Sequence, residues 1–153
     1  TPSLVGAGAA GLFATAEVSA QQRTQAGELL AAVGLVEWVE EESLLDAITA
    51  VSGSGPAYFF LMFEAMEEAG AKLGLPAATA RRLAMQTASG AAKMAMASEQ
   101  RPAELKRNVM SPGGTTERAI EYLEQADLRN ILAAAMEACA IRAREMAEEL
   151  GKH

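Results

Sequence analysis

The stretch 57-AYFFLMF-63 sets the tightest limit on how this chain can fold. It closes an uncharged run from Ala47 to Phe63 that is cut by 52-SGSGP-56. Pro56 suits the first turn of a helix that then reaches about Leu73. A helix apolar on every side has to be covered on every side. A chain of 153 residues with only 5% aromatic side chains cannot easily do that alone. The apolar part after the break is too short to span a bilayer.

Alanine, leucine, methionine and glycine must fill the interior, because half of the chain is apolar and so little of it is aromatic. Small residues favour closely packed helices over sheet. From Glu41 onward the pattern is helical throughout. A helix begins near Ser43 and is interrupted or bent at 52-SGSGP-56, and Gly74 and Pro76 separate the next. Residues 77–98 carry Ala84, Ala88, Ala91 and Ala95 on one stripe, where another helix can approach. Pro102 opens a short helix to about Asn108, and a further helix runs from about Thr116 to Gln125. Asp127 caps the last helix, whose apolar stripe includes Leu128, Leu132, Met136, Cys139 and Met146.

Residues 1–40 read as strand, helix, strand. Ser19 and Gln22 form a capping box at the helix start, Gly34 stops it, and 35-LVEWVE-40 is β-prone. Two strands and a helix need a larger sheet to join. Leu4 and Val5 lead as strand formers into Gly6, Gly8 and Gly11, which spell G-x-G-x-x-G. A dinucleotide turn requires a helix directly after the glycines, yet 12-LFATAEVSA-20 is strand-like and the helix waits until Ser19. The fingerprint is therefore the weaker reading of these glycines.

Net charge is −7 and the isoelectric point about 4.8. Basic residues alternate with acids, as in 142-RAREMAEE-149, so no basic face for nucleic acid emerges. A single cysteine, Cys139, fits a reducing compartment and a packed core thiol. With no basic-then-apolar leader, the expected setting is cytoplasmic. The first residue is Thr1, which suggests a processed chain or a fragment. His153, at the extreme C-terminus, is expected to be frayed. No metal-ligand spacing and no serine or cysteine nucleophile motif is present.

Two glycine-rich segments remain. In 111-SPGGTT-116 the glycines precede a helix whose first-turn amides make an anion site. The alternative is a threonine that caps its own helix. The segment 52-SGSGPAY-58 is either an amide nest or, more simply, a bend that lets helices or subunits touch.

Taken together, 46-DAITAVSGSGPAYFF-60 and 105-LKRNVMSPGGTT-116 resemble pyrroline-5-carboxylate reductase. The segments 1-TPSLVGAG-8, 89-SGAAKMA-95 and 139-CAIRARE-145 are similar to that family in the same order. The resemblance implies a mainly α fold of the 6-phosphogluconate-dehydrogenase-like C-terminal type, residues 43–153, for substrate binding and dimerisation. Residues 1–42 would be the closing elements of a truncated dinucleotide-binding Rossmann domain. It also implies reduction of 1-pyrroline-5-carboxylate to L-proline with NADPH or NADH, in a protein that is at least a homodimer. No cofactor is expected on this piece, which would be inactive alone. By resemblance, Ser111 and the amides of Gly113, Gly114 and Thr115 hold the substrate carboxylate. Thr116 stands by the ring nitrogen, and Glu99 lies near the site. A non-catalytic dimerisation module, or the helical domain of a related NAD(P)-dependent reductase, is the alternative.

Overall fold

The computed structural model describes residues 1–151, so His153 lies outside the described residues. The chain divides into two units, one of Thr1–Phe59 with the chain from Leu132 onward, the other of Phe60–Ile131.

In the first unit, strand β1 (Gly8–Leu12) and strand β2 (Gly34–Trp38) pair in parallel, joined by helix α1 (Ala20–Ala31). Ser19 and Gln22 make the expected capping box: the Ser19 hydroxyl accepts from the Gln22 amide and the Gln22 side chain from the Ser19 amide. Arg23 lies over the Trp38 ring, 4.4 Å from its centroid, and ties α1 to β2. The expected strand lead at Leu4 and Val5 is instead a 3₁₀ turn, Pro2–Val5, with both side chains exposed. Pro2 fixes the first turn, and Gly6 at φ 68° ends it. The strand then begins at Gly8, which pairs with Gly34, where a Cβ would run into the Gly8 backbone.

Helix α2 (Leu44–Ile48) does not break at 52-SGSGP-56 but widens into a π turn, Thr49–Gly53, that leads to helix α3 (Gly55–Lys72). Pro56 has no amide to give the Ser52 carbonyl, so the ladder is re-spaced by Ser54 N–H donating to the Thr49 carbonyl at 2.8 Å. Thr49 and Ser52 hydroxyls donate back to the carbonyls of Leu45 and Ile48. Helical structure thus runs from Leu44 to Lys72, 29 residues, with a mean hydropathy of 1.2 in its most apolar window. The break cannot be used to exclude a bilayer span, since by length and composition this segment could cross one. Only 11% of that window is buried within the chain.

In the second unit, α3 continues against helix α4 (Ala77–Met96). Ala80 and Ala84 of α4 are buried, whereas Ala91 and Ala95 of the same stripe line an apolar groove of about 280 Å³ with Leu105 and Val109. Helices α5 (Pro102–Asn108), α6 (Thr115–Gln125) and α7 (Leu128–Leu150) complete the order, with α7 running on into the first unit. Asp127 does not cap α7 in the usual way. It sits at φ 61°, and its carboxylate accepts from the Asn130 side chain rather than from a first-turn amide.

Little is buried. Ala50, Ala80 and Ala84 are the buried hydrophobic side chains among the described residues, while Phe59, Phe60 and Leu61 are 63%, 62% and 65% exposed. The accessible surface is 11,739 Å². Two separate compact globules, each of half this 16.0 kDa mass, would together expose only about 8,900 Å². The excess over that figure is of the size an obligate interface covers.

The α3–α4 contact gives a test. A Cβ on Gly70 would lie 2.8 Å from the Ala80 Cβ, whereas one on Gly90 meets nothing within 4 Å among the described residues. Gly70→Ala is expected to lower unfolding free energy by about 1–2 kcal/mol, the clash outweighing the gain in helix propensity. Gly90→Ala is expected to raise it by about 0.5–1 kcal/mol. Denaturant midpoints at equal slope measure both.

Candidate functional site

The loop between α5 and α6 is built by two glycines with different tasks. The Gly114 amide donates to the Ser111 carbonyl at 2.8 Å, closing a tight turn. A Cβ on Gly114 would sit 2.8 Å from that same carbonyl oxygen. Gly113 adopts φ 71°, the left-handed region that other residues rarely enter. Gly114 is the N-cap of α6, and no side chain caps the helix. The amides of Thr115, Thr116 and Glu117 occupy its first turn, where the helix end is electropositive. A threonine capping its own helix is therefore not what the loop does.

The structure brings Ser111, Gly113, Gly114, Thr115 and Thr116 together on this exposed loop and first turn. Glu99 lies apart in sequence, in the exposed bend between α4 and α5. Among the described residues it makes no hydrogen bond to the loop. Its neighbour Gln100 accepts from the Asn108 side chain at 2.9 Å, which fixes that bend to the end of α5.

Two features escaped the sequence reading. Glu117 reaches back four residues, and its carboxylate accepts from the Gly113 amide at 2.6 Å. An acid at the third helical position is a known backward-reaching group, so the signal was present in 113-GGTTE-117. The second is an ion cluster on Glu124. Arg129 meets that carboxylate through two hydrogen bonds of 2.7 Å, and Lys106 reaches it at 3.1 Å. Lys106 stands on α5 and Glu124 on α6, so the ion pair clamps the two helices that flank the loop. Nothing in the spacing of 18 residues between them betrays it.

In the first unit, 52-SGSGPAY-58 makes a packing joint. The Ser54 hydroxyl and the Cys139 thiol lie 3.1 Å apart, and the buried Tyr58 hydroxyl beside them makes no hydrogen bond of good geometry among the described residues. Burial first, then the neighbouring thiol, pushes the Tyr58 hydroxyl above its ordinary value. A separate apolar cavity of about 370 Å³ is lined by Ala9, Leu35, Val39, Ile48 and Val51 together with Glu37. It holds none of the candidate residues.

The glycines of the opening segment do not fit a dinucleotide. Gly8 and Gly11 lie inside β1, paired with Gly34 and Glu37, and no helix starts at them. A Cβ on Gly11 would run into the Ile48 side chain. Gly11 lets β1 approach the helical segment at Ile48, and Gly8 lets it pass Ser3 and the Val33 carbonyl, both packing tasks.

The Glu124 cluster carries a pH signature. Hydrogen bonds from Arg129, then from Lys106, hold its carboxyl at about 2, far below its ordinary value. A carboxyl depressed on folding stabilises above its unfolded value and loses that contribution as pH falls through the folded one. Glu124→Gln should therefore lower the unfolding temperature above about pH 5, with the difference from the parent shrinking toward pH 2. Thermal melts across that range check it.

Comparison with known proteins gives consistent results. The family model described as pyrroline-5-carboxylate reductase dimerisation matches residues 42–146. The chain is 54% identical over 152 residues to a pyrroline-5-carboxylate reductase of Pseudomonas aeruginosa, covering 99% of this chain and 56% of that protein. It is 47% identical to the one of Corynebacterium melassecola, over 100% of this chain and 55% of the relative. A solved pyrroline-5-carboxylate reductase from Coxiella burnetii superposes with a TM-score of 0.92 at 50% identity, covering 95% of this chain and 54% of that one. The Plasmodium falciparum pyrroline carboxylate reductase, solved with NADP bound, gives 0.87 at 31% identity, over 95% and 58%. The chain spans about half the length of the curated relatives it matches. With the match extending from the start of the helical part to near the end of α7, the chain belongs to the pyrroline-5-carboxylate reductase dimerisation family.

Proposed function

We propose that this chain is the substrate-binding and dimerisation part of a pyrroline-5-carboxylate reductase, acting in the cytoplasm in proline biosynthesis. The observation that carries the reading is the 111-SPGGTT-116 loop: a left-handed Gly113 and an uncapped helix start, suited to an anion. The names of the relatives supply the substrate class. In this reading the carboxylate of 1-pyrroline-5-carboxylate is held by the Ser111 hydroxyl and the amides of Gly113 and Thr115. Gly114, whose amide already serves the turn, shapes the loop. The Thr116 hydroxyl, in the first turn of α6, orients the ring nitrogen or assists its protonation. Glu99 joins the substrate-binding set by resemblance to the family alone. Residues 43–153 form the helical domain, and residues 1–42 belong to the dinucleotide-binding half.

NADPH or NADH supplies the hydride in this chemistry. Among the described residues, Gly6, Gly8 and Gly11 form no dinucleotide turn, and the residues of the 111–116 loop take no part in the hydride step itself. Their work is to bind and orient, which suits a reaction that asks little else of the protein. A second copy of the chain covers the exposed face of α3, in preference to a bilayer, because the matched family is one of dimerisation.

Reduction of 1-pyrroline-5-carboxylate by the full-length enzyme, followed as loss of NADPH absorbance, tests the reading. Thr116→Ala is expected to lower kcat by about 10²-fold, the lower range for a lost acid or orienting group. Gly114→Ala is expected to lower kcat/KM by deforming the loop while the oligomer persists. Undiminished turnover of Thr116→Ala would remove that residue from its role, and an inactive parent would remove the reductase reading.

A further inference from the structure

The Gly113 amide is one of the groups assigned to the substrate carboxylate, and it already has a carboxylate on it. The Glu117 side chain accepts its hydrogen at 2.6 Å, a short charge-assisted bond. This is not an ordinary capping box, in which the acid at the third helical position would take the N-cap amide. That amide, on Gly114, is already given to the Ser111 carbonyl. Glu117 therefore reaches one residue further back, onto Gly113, whose positive φ fixes the direction of its N–H.

We infer that Glu117 is a displaceable internal carboxylate: it holds the Gly113 amide until a substrate carboxylate takes it, and so sets how tightly the loop binds its anionic ligand. The inference rests on the proposed function of the loop. Three features support displacement rather than permanent capping. Internal and incoming groups are both carboxylates, so one charge-assisted hydrogen bond is exchanged for another of the same kind. Glu117 is otherwise lightly held. Among the described residues its carboxylate has the Gly113 amide as its hydrogen-bond partner and no salt bridge, since the adjacent Arg118 pairs with Glu121. A carboxylate offers about four acceptor positions, so a single bond leaves it poorly anchored. Finally, Glu117 is only partly covered and lies on the first turn of α6, free to swing to solvent. While it stays, its charge repels a second anion at the same amides.

The two ways in which Glu117 could act have opposite kinetic signs. A competitor, once removed, leaves the substrate bound more tightly; a cap that shapes the loop, once removed, leaves it bound more weakly. Glu117→Gln keeps the shape and an acceptor but loses the charge, and Glu117→Ala frees the amide altogether. In the full-length enzyme, with 1-pyrroline-5-carboxylate varied at saturating NADPH, KM is expected to fall roughly three- to tenfold in both variants, with kcat changed less than about twofold. Where Glu117→Ala does not fold, Glu117→Gln alone decides. Turnover with an unchanged or raised KM in Glu117→Gln would overturn this inference and leave the proposed function standing. No turnover by the unsubstituted enzyme would overturn both.

Discussion

The structure depends on an apolar helical segment that the chain itself cannot cover. From Leu44 to Lys72 the backbone is helical throughout, kept so past Pro56 by a π turn. Phe59, Phe60 and Leu61 lie more than half exposed along it. Burying a large apolar side chain is worth about 1.5–3 kcal/mol, and much of that stabilisation is absent within a single chain. The stripe on α7 is in the same position, since Leu132 and Met146 remain near half exposed. Small side chains at Ala80 and Ala84 bring α4 close to its neighbour but bury little surface. Most of the stabilising burial must come from outside the chain, as in an obligate, core-like interface.

Within the second unit the candidate loop is held by means that do not need a large core. Two glycines set its turn, and the Lys106–Glu124 pair joins the helices on either side of it. Arg129 approaches the same carboxylate from the start of α7, and the three together form a network rather than a lone surface pair. Isolated exposed pairs contribute little; a bidentate contact shared with a second cation fixes geometry better. The loop's amides are then held in one arrangement.

Much of this was legible in the residues. The helix limits around Pro102 and Gln125 follow from the proline and the apolar period, and the Ser19 box closes as its spacing requires. The all-round apolar 57-AYFFLMF-63 already marked a face that the chain leaves largely uncovered. What failed did so for local reasons. Leu4 and Val5 favour strand, but Pro2 and Gly6 bracket them into a 3₁₀ turn. The glycines and serines at 52–55 read as a break, whereas a π turn absorbs them without ending the helix. Asp127 reads as a cap, yet its left-handed backbone turns its carboxylate to Asn130. The ion cluster on Glu124 joins residues far apart in sequence, and no periodicity encodes such a contact. The site assignments themselves came from resemblance. Glycines before a helix suggest an anion but do not name it.

The mass of the folded chain in solution tests the central claim most directly. Light scattering on a monodisperse, natively folded sample at micromolar concentration should give about 32 kDa or a higher multiple, twice the 16.0 kDa of one chain. A folded, soluble species that holds at 16.0 kDa across that concentration range would contradict it.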